Sequence, residues 1–166
     1  NVRLDSDVDI AVQYTAIQRF DKEFEAASLT DQELGIGSLV DPLDHQLFTN
    51  IVETALRKEF GSDIVRRSSS GKAIHVDASS TRLPLDVVPC QSYRRYDSLH
   101  TSHDGIVLKT NSDIEVVNWP GQNKENGITK NNNTYRRYKS LVRIIKHLEN
   151  HMFENGVITK EIPSYF

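Results

Sequence analysis

The sequence predicts a mixed α/β fold of the α+β kind: a mixed sheet with flanking helices, followed by a helical second lobe. Three observations carry this expectation. Short runs rich in β-branched residues recur at residues 8–12, 64–67, 73–77 and 83–88. Two longer stretches, residues 41–60 and 134–155, place apolar residues three and four apart, as helix faces require. The strand signals stop near residue 118, so the chain is expected to divide into residues 1–118 and 119–166.

Val8-Asp9-Ile10-Ala11-Val12 alternates apolar residues with an acid and a small residue, the pattern of a short strand with its carboxylates on one face. From residue 14 to 37 the pattern is mixed. Ile17, Phe20 and Phe24 fit a helix there, and Gly35-Ile36-Gly37-Ser38 a loop. A second helix is signalled by Asp41 as N-cap, Pro42 at the first helical position, and Leu43, Leu47, Ile51, Ala55, Leu56 and Phe60 before Gly61. Ile64-Val65-Arg66-Arg67 and Ala73-Ile74-His75-Val76-Asp77 flank Ser68-Ser69-Ser70-Gly71, a hairpin with a polar tip.

Residues 83–88 form another strand, ending at Pro89, and residues 105–109 and 114–117 two more before a turn at Trp119-Pro120-Gly121. An Asn-rich connector (Asn123, Asn126, Asn131, Asn132, Asn133) then leads into a long helix over residues 134–155. Its apolar stripe is Tyr138, Leu141, Val142, Ile145, Leu148 and Met152, and Asn155-Gly156 stops it.

Composition excludes several classes. With 166 residues, 37% hydrophobic, 26% charged and a mean hydropathy of -0.50, the chain is neither disordered nor collagen-like, and no apolar run approaches the roughly 20 residues that span a bilayer. A chain this long buries roughly 70% of its unfolded surface without a disulfide or metal staple. The lone Cys90 cannot form an internal disulfide, and the sequence opens at Asn1 without a charged-plus-apolar leader. Together these predict a reduced, cytoplasmic protein with no membrane partner, and the sequence is expected to be an excerpt of a longer one. A net charge of -3 argues against a surface that coats long nucleic acid. Between residues 130 and 151, however, six basic residues face one acid, which suits a local anion site.

Asp7 and Asp9 stand two apart, so in an extended segment both carboxylates share a face. Such a like-charged pair beside Val8, Ile10 and Val12 asks for a cation, most naturally Mg²⁺ held by carboxylates and a substrate's phosphates. Asp86 is a lone acid within Leu83-Pro84-Leu85-Asp86-Val87-Val88-Pro89, where an unpartnered charge is costly. Three carboxylates on two strands can hold the paired metals of phosphoryl transfer. Spacing alone also allows a solvated Asp-x-Asp turn and a solvent-facing edge position for Asp86.

The flanking residues decide between these. Asn1-Val2-Arg3-Leu4-Asp5-Ser6-Asp7-Val8-Asp9-Ile10 and Leu85-Asp86-Val87-Val88-Pro89 resemble the catalytic strands of the nucleotidyltransferase superfamily that includes DNA polymerase beta. Trp119-Pro120, Glu125-Asn126-Gly127, Lys130-Asn131, Thr134, Tyr138-Lys139, Val142-Arg143-Ile144-Ile145-Lys146 and Ile162-Pro163-Ser164-Tyr165 resemble bacterial cyclic-oligonucleotide synthases. Those are relatives of cyclic GMP-AMP synthase and oligoadenylate synthase that make second messengers in anti-phage defence. The resemblance covers nearly the whole chain.

It implies a polymerase beta-like sheet, with residues 1–118 as the catalytic domain and residues 119–166 as the start of a helical nucleotide-binding lobe. Asp7, Asp9 and Asp86 become the metal-binding catalytic acids, with Mg²⁺, or Mn²⁺ in its place, as cofactor. Lys139 shares a helical stripe with Arg143 and Lys146; the stripe suits either a triphosphate or a solvated face. The resemblance makes Lys139 the phosphate-binding candidate and leaves Arg143 and Lys146 for structural ion pairs. Ser164 and Tyr165 match positions where a hydroxyl reaches the phosphates and a ring stacks on the base.

The implied reaction joins nucleoside triphosphates, ATP or GTP among them, with release of pyrophosphate, and closes a cyclic di- or trinucleotide. A linear transferase acting on RNA, a small molecule or a protein is the alternative within the enzyme class, and a catalytically silent nucleotide-binding domain the alternative outside it. A regulatory protein partner is left open. The family places a Gly-Ser turn shortly before the first carboxylate, and this sequence starts after that point. Either that segment lies outside the sequence, or the chain as it stands is inactive.

Other motifs carry less. Ser68-Ser69-Ser70-Gly71-Lys72 lacks the glycine spacing and following helix of a phosphate loop. His100 with His103, and His147 with His151, have metal-like spacing but no further ligands nearby in sequence. Cys90 reads as a small core residue.

Overall fold

The computed structural model describes residues 8–37 and 43–160. The chain divides into two compact units, Asn1–Trp119 and Pro120–Phe166.

In the first unit the alternating segments assemble into one six-stranded mixed sheet. Its strands are β1 (Val8–Lys22), β2 (Val65–Arg67), β3 (Ile74–Val76), β4 (Leu85–Tyr96), β5 (Ser102–Lys109) and β6 (Glu115–Asn118). The order is β2-β3-β4-β5-β6, with β1 running parallel to β4 on both sides of a break in register after Tyr14 and the other neighbours antiparallel. The long β4 is the spine, since β1, β3 and β5 all pair with it.

Two strands run further than the sequence predicts. The stretch expected to be helical through Ile17 and Phe20 continues β1 as far as Lys22, with a register irregularity between Tyr14 and Gln18. Twelve backbone pairings with β4 outweigh a weak local helix signal. β4 likewise passes through Pro89 rather than ending there. It pairs β3 over residues 85–87 and β5 over residues 91–96, so Pro89 falls in a gap between two ladders, where a missing N–H costs least.

One helix, α1 (His45–Phe60), flanks the sheet. The predicted cap at Asp41 and Pro42 lies outside the described residues. Asp44 caps α1 instead, its carboxylate accepting from the Gln46 N–H at 2.9 Å, and Leu43 precedes the helix. The buried stripe differs from the expected one. Phe48 is buried, and Val52, Leu56 and Phe60 pack on the core, whereas Leu47 and Ile51 are each 51% exposed. The core itself is Val65, Ile74, Val76 and Val87, joined by Val12, Ile64 and Leu85. Glu53 pins α1 to the sheet by accepting from Arg67 on β2 at 2.6 Å, and within the helix it also accepts from Arg57 at 2.9 Å.

The hairpin tip between β2 and β3 is tied down. The Asn111 N–H and side-chain amide donate to the Ser70 and Ser69 carbonyls at 2.9 and 3.1 Å. Gly71 stands beside them at φ +76°, where a Cβ would fall on the Asn111 side chain.

In the second unit the expected Asn-rich connector is itself helical: Pro120 opens α2 (Pro120–Asn133). Two left-handed residues, Tyr135 and Arg136, separate it from α3 (Arg137–Glu154). The Thr134 hydroxyl accepts from the Tyr138 N–H, and the Asn131 side chain from the Lys139 N–H, each at 3.1 Å, so α2 supplies the cap of α3.

Two predictions follow from this packing. Gly105 on β5 lies under the Trp119 ring, which meets Tyr93 edge-on at 5.4 Å. A Cβ at Gly105 would stand 2.7 Å from the Asn118 carbonyl and 2.8 Å from the ring. Gly105→Ala is expected to lower stability by about 1–3 kcal/mol, as overpacking does, measured by thermal unfolding. Second, buried His45 places Nε2 3.3 Å from both the Pro89 carbonyl and the Lys109 N–H. Burial pushes its pKa below the ordinary value; the Pro89 carbonyl opposes this, the Lys109 charge adds to it, and Asp44 and Glu115 oppose it. The unfolded chain therefore binds the proton more readily. Stability should be full above about pH 6.5 and fall as the pH drops through the depressed folded value. Urea midpoints measured against pH should show that slope, and His45→Gln should flatten it.

Candidate active site

Alternation along β1 sends Val8, Ile10 and Val12 to the side of the sheet that carries the core and Asp9 to the other. On β4 the same rule separates Leu85 and Val87 from Asp86. The parallel register sets Asp9 directly opposite Asp86, on strands about 4.8 Å apart, so both carboxylates stand side by side on the face away from α1. Among the described residues no ion pair or hydrogen bond engages the Asp9 carboxylate.

The row continues across the sheet. His75 on β3 is the register partner of Asp86, and Arg66 on β2 that of His75. The His75 Nδ1–H donates to Asp86 Oδ1 at 2.9 Å, and Nε2 lies 3.3 Å from Asp77 Oδ1. Asp77 is in turn paired with Arg66 at 2.5 Å, and its carbonyl accepts from Arg82 at 2.7 Å. The side chains of His75, Asp77 and Asp86 are each about one third exposed (33%, 33% and 34%), so solvent and ligands reach them.

This donor set suits a hard divalent cation. Two carboxylates on adjacent strands supply oxygen ligands, and no lysine or arginine pairs with either among the described residues. Those residues hold no group of three or more His, Cys, Asp or Glu side chains placed for a metal. The expected third carboxylate, Asp7, lies outside them.

Comparison with known proteins finds chains similar to this one. A family profile described as the cGAS/DncV-like nucleotidyltransferase C-terminal helical domain, CD_NTase_C, matches residues 125–166. The chain is 40% identical over 170 residues to a cyclic dipyrimidine nucleotide synthase, CdnE, of Legionella pneumophila, covering 99% of this chain and 55% of that protein. Among solved structures it resembles the CdnE c-UMP-AMP synthase of Rhodothermus marinus, determined with Apcpp and Upnpp, at a TM-score of 0.80 and 33% identity, over 99% of this chain and 55% of that one. It also resembles the CdnE cyclic dinucleotide synthase of Elizabethkingia meningoseptica, determined with GTP and Apcpp, at a TM-score of 0.70 and 31% identity, over 95% and 50%. Over nearly its whole length the chain is similar to bacterial CD-NTases. Its fold is accordingly the polymerase beta-like nucleotidyltransferase fold of these CdnE structures. It spans about half the length of the curated relatives it matches.

Within this chain, the structure brings two of the expected site residues together, Asp9 and Asp86. Lys139 stands exposed in the first turn of α3, within the second unit, as Arg143 and Lys146 stand exposed further along the same helix. Asp7, Ser164 and Tyr165 lie outside the described residues. His75 was not foreseen. Its signal was present in Ile74-His75-Val76-Asp77, whose alternation sets His75 on the polar face, but only the β3·β4 register shows that this position meets Asp86.

The lesser motifs find structural roles. His103 bonds Asp97 at 3.0 Å, and His151 lies 3.3 Å from the Asn155 side-chain amide. Cys90 is buried with its thiol 3.6 Å from the Val12 carbonyl, and burial pushes that thiol's pKa up, away from reactivity. No helix among the described residues is long and apolar enough to cross a membrane.

Proposed function

We propose that the protein carrying this chain is a divalent-metal-dependent nucleotidyltransferase that joins nucleoside triphosphates into a cyclic di- or trinucleotide, a second messenger of anti-phage defence. The observation that carries this reading is the Asp9–Asp86 pair, held side by side by the β1·β4 register on the open face of the sheet. The relatives' activities support the product class, and because those relatives span dipyrimidine, dipurine and UMP-AMP products, the choice of bases is left to the pocket.

Asp7, Asp9 and Asp86 would hold Mg²⁺, or Mn²⁺ in its place. When bound, the cation activates a ribose hydroxyl and neutralises charge on the triphosphate. The carboxylates fix the site in space, so that attacking oxygen, α-phosphorus and leaving oxygen fall in line. A bond forms from the ribose oxygen to the α-phosphorus of a second nucleotide, the bond to the β-phosphate breaks, pyrophosphate leaves and the hydroxyl proton passes to solvent. Lys139 would give a point charge to the triphosphate. The Ser164 hydroxyl would reach the phosphates, and the Tyr165 ring would stack on a base.

The test is incubation of the full-length protein with Mg²⁺ and labelled ATP, GTP, CTP and UTP, followed by phosphatase and separation of products. Phosphatase-resistant label is expected, and Asp9→Asn or Asp86→Asn should reduce it by at least about 100-fold, the upper end of what losing an outer-shell partner of a metal costs. Label that survives both substitutions would overturn the assignment of the acids. A product that phosphatase degrades would indicate a linear transferase. Nucleotide affinity without turnover under either Mg²⁺ or Mn²⁺ would indicate a silent binding domain.

A further inference from the structure

Asp86 differs from Asp9 in having a partner. His75 donates from Nδ1 to Oδ1 of Asp86 at 2.9 Å, while its other nitrogen lies 3.3 Å from Asp77, itself paired with Arg66. The four side chains form a chain across three adjacent strands. Arg66 and His75 are register partners, as are His75 and Asp86, so strand pairing as well as side-chain bonding sets the spacing. Asp77 Oδ1 stands 3.3 Å from Nε2 on one side of the imidazole, and the Nδ1–H holds one oxygen of Asp86 on the other.

We propose that His75 is a positioning residue for the metal-ligating carboxylate Asp86. By engaging Oδ1, it selects one rotamer of Asp86 and directs Oδ2 towards the Asp9 side of the row, where a divalent cation would be shared. This rests on the metal-site reading above. A free aspartate on a strand has several rotamers to lose on binding a cation, whereas one already held by a neighbour has fewer, so an outer partner raises affinity without touching the metal. One alternative for His75 is disfavoured by the geometry: as a direct ligand it would give up either its Nδ1 bond to Asp86 or, through Nε2, its contact with Asp77.

The test compares Mn²⁺ binding to the wild-type full-length protein and to His75→Ala, His75→Asn and Asp86→Asn, read from the loss of the free-ion electron paramagnetic resonance signal at one fixed pH. Asn is the informative replacement, because its side-chain amide nitrogen occupies nearly the place of Nδ1 and can donate to Oδ1. His75→Ala is expected to weaken Mn²⁺ binding about 10-fold, within the range for outer partners of metal ligands. His75→Asn should restore most of that loss. In turnover assays the metal concentration for half-maximal rate should move with the binding constant, while KM for the triphosphate stays near its wild-type value.

Wild-type affinity in His75→Ala overturns the proposal. So does a His75→Asn protein that remains folded by circular dichroism yet binds as weakly as His75→Ala. Should His75→Ala fail to fold, His75→Asn decides alone: near-wild-type affinity supports the proposal, and an Ala-like loss in a folded protein overturns it. A wild-type protein whose Mn²⁺ binding is absent, or is unchanged in Asp86→Asn, removes the metal-site reading itself and this inference with it. That outcome is distinct from a His75 variant that leaves an established site intact.

Discussion

Parallel pairing of β1 with β4 is the constraint on which the site depends. Asp9 and Asp86 are far apart in the chain, and their meeting is set by the backbone ladder that places Val8 opposite Leu85, Asp9 opposite Asp86 and Ile10 opposite Val87. A slip of one residue would turn Asp86 towards Ile10 and send one carboxylate into the core. The apolar residues on either side therefore enforce the register, because Val12, Leu85 and Val87 all contribute to the cluster beneath α1. The same burial that stabilises the sheet holds the acids in line.

The sheet thus has two chemically different faces. One is covered by α1 through Phe48, Val52, Leu56 and Phe60 and latched by the Glu53–Arg67 bond. The other carries a row of ionisable groups, Asp9, Asp86, His75 and Arg66, one from each of four adjacent strands. Period-two alternation is enough to produce this division. Antiparallel pairing carries it from β4 to β3 and β2, and parallel pairing carries it to β1.

Much of this was legible in the sequence because it depends on local pattern. The strands around Val8, Ile74 and Leu85, and the amphipathic stretch of α1, follow from alternation and helical spacing. What escaped depends on partners distant in the chain. Phe20 lies in a strand, since pairing with β4 outweighs the local helical spacing; Pro89 sits mid-strand because the ladder beside it is interrupted; and the Asn-rich segment is helical, with its last turn supplying the cap of α3 through Asn131. His75 escaped for the same reason. Its polar side follows from alternation, but its contact with Asp86 follows from a register between two strands that no single segment encodes.

The order of charges along the row also explains why the proposed cation belongs at one end of it. Asp77 is paired with the Arg66 guanidinium at 2.5 Å, so its charge is already matched. Asp86 has only a share in one imidazole, which it divides with Asp77. Asp9 has no partner among the described residues. Among the described residues, uncompensated negative charge therefore grows from β2 towards β1, and two carboxylates about one strand spacing apart repel each other unless a cation lies between them. Sequence reasoning asked for a partner for Asp86 on grounds of desolvation, and the structure supplies half of one. In the proposed role, His75 holds one oxygen of Asp86 and leaves the other for a metal.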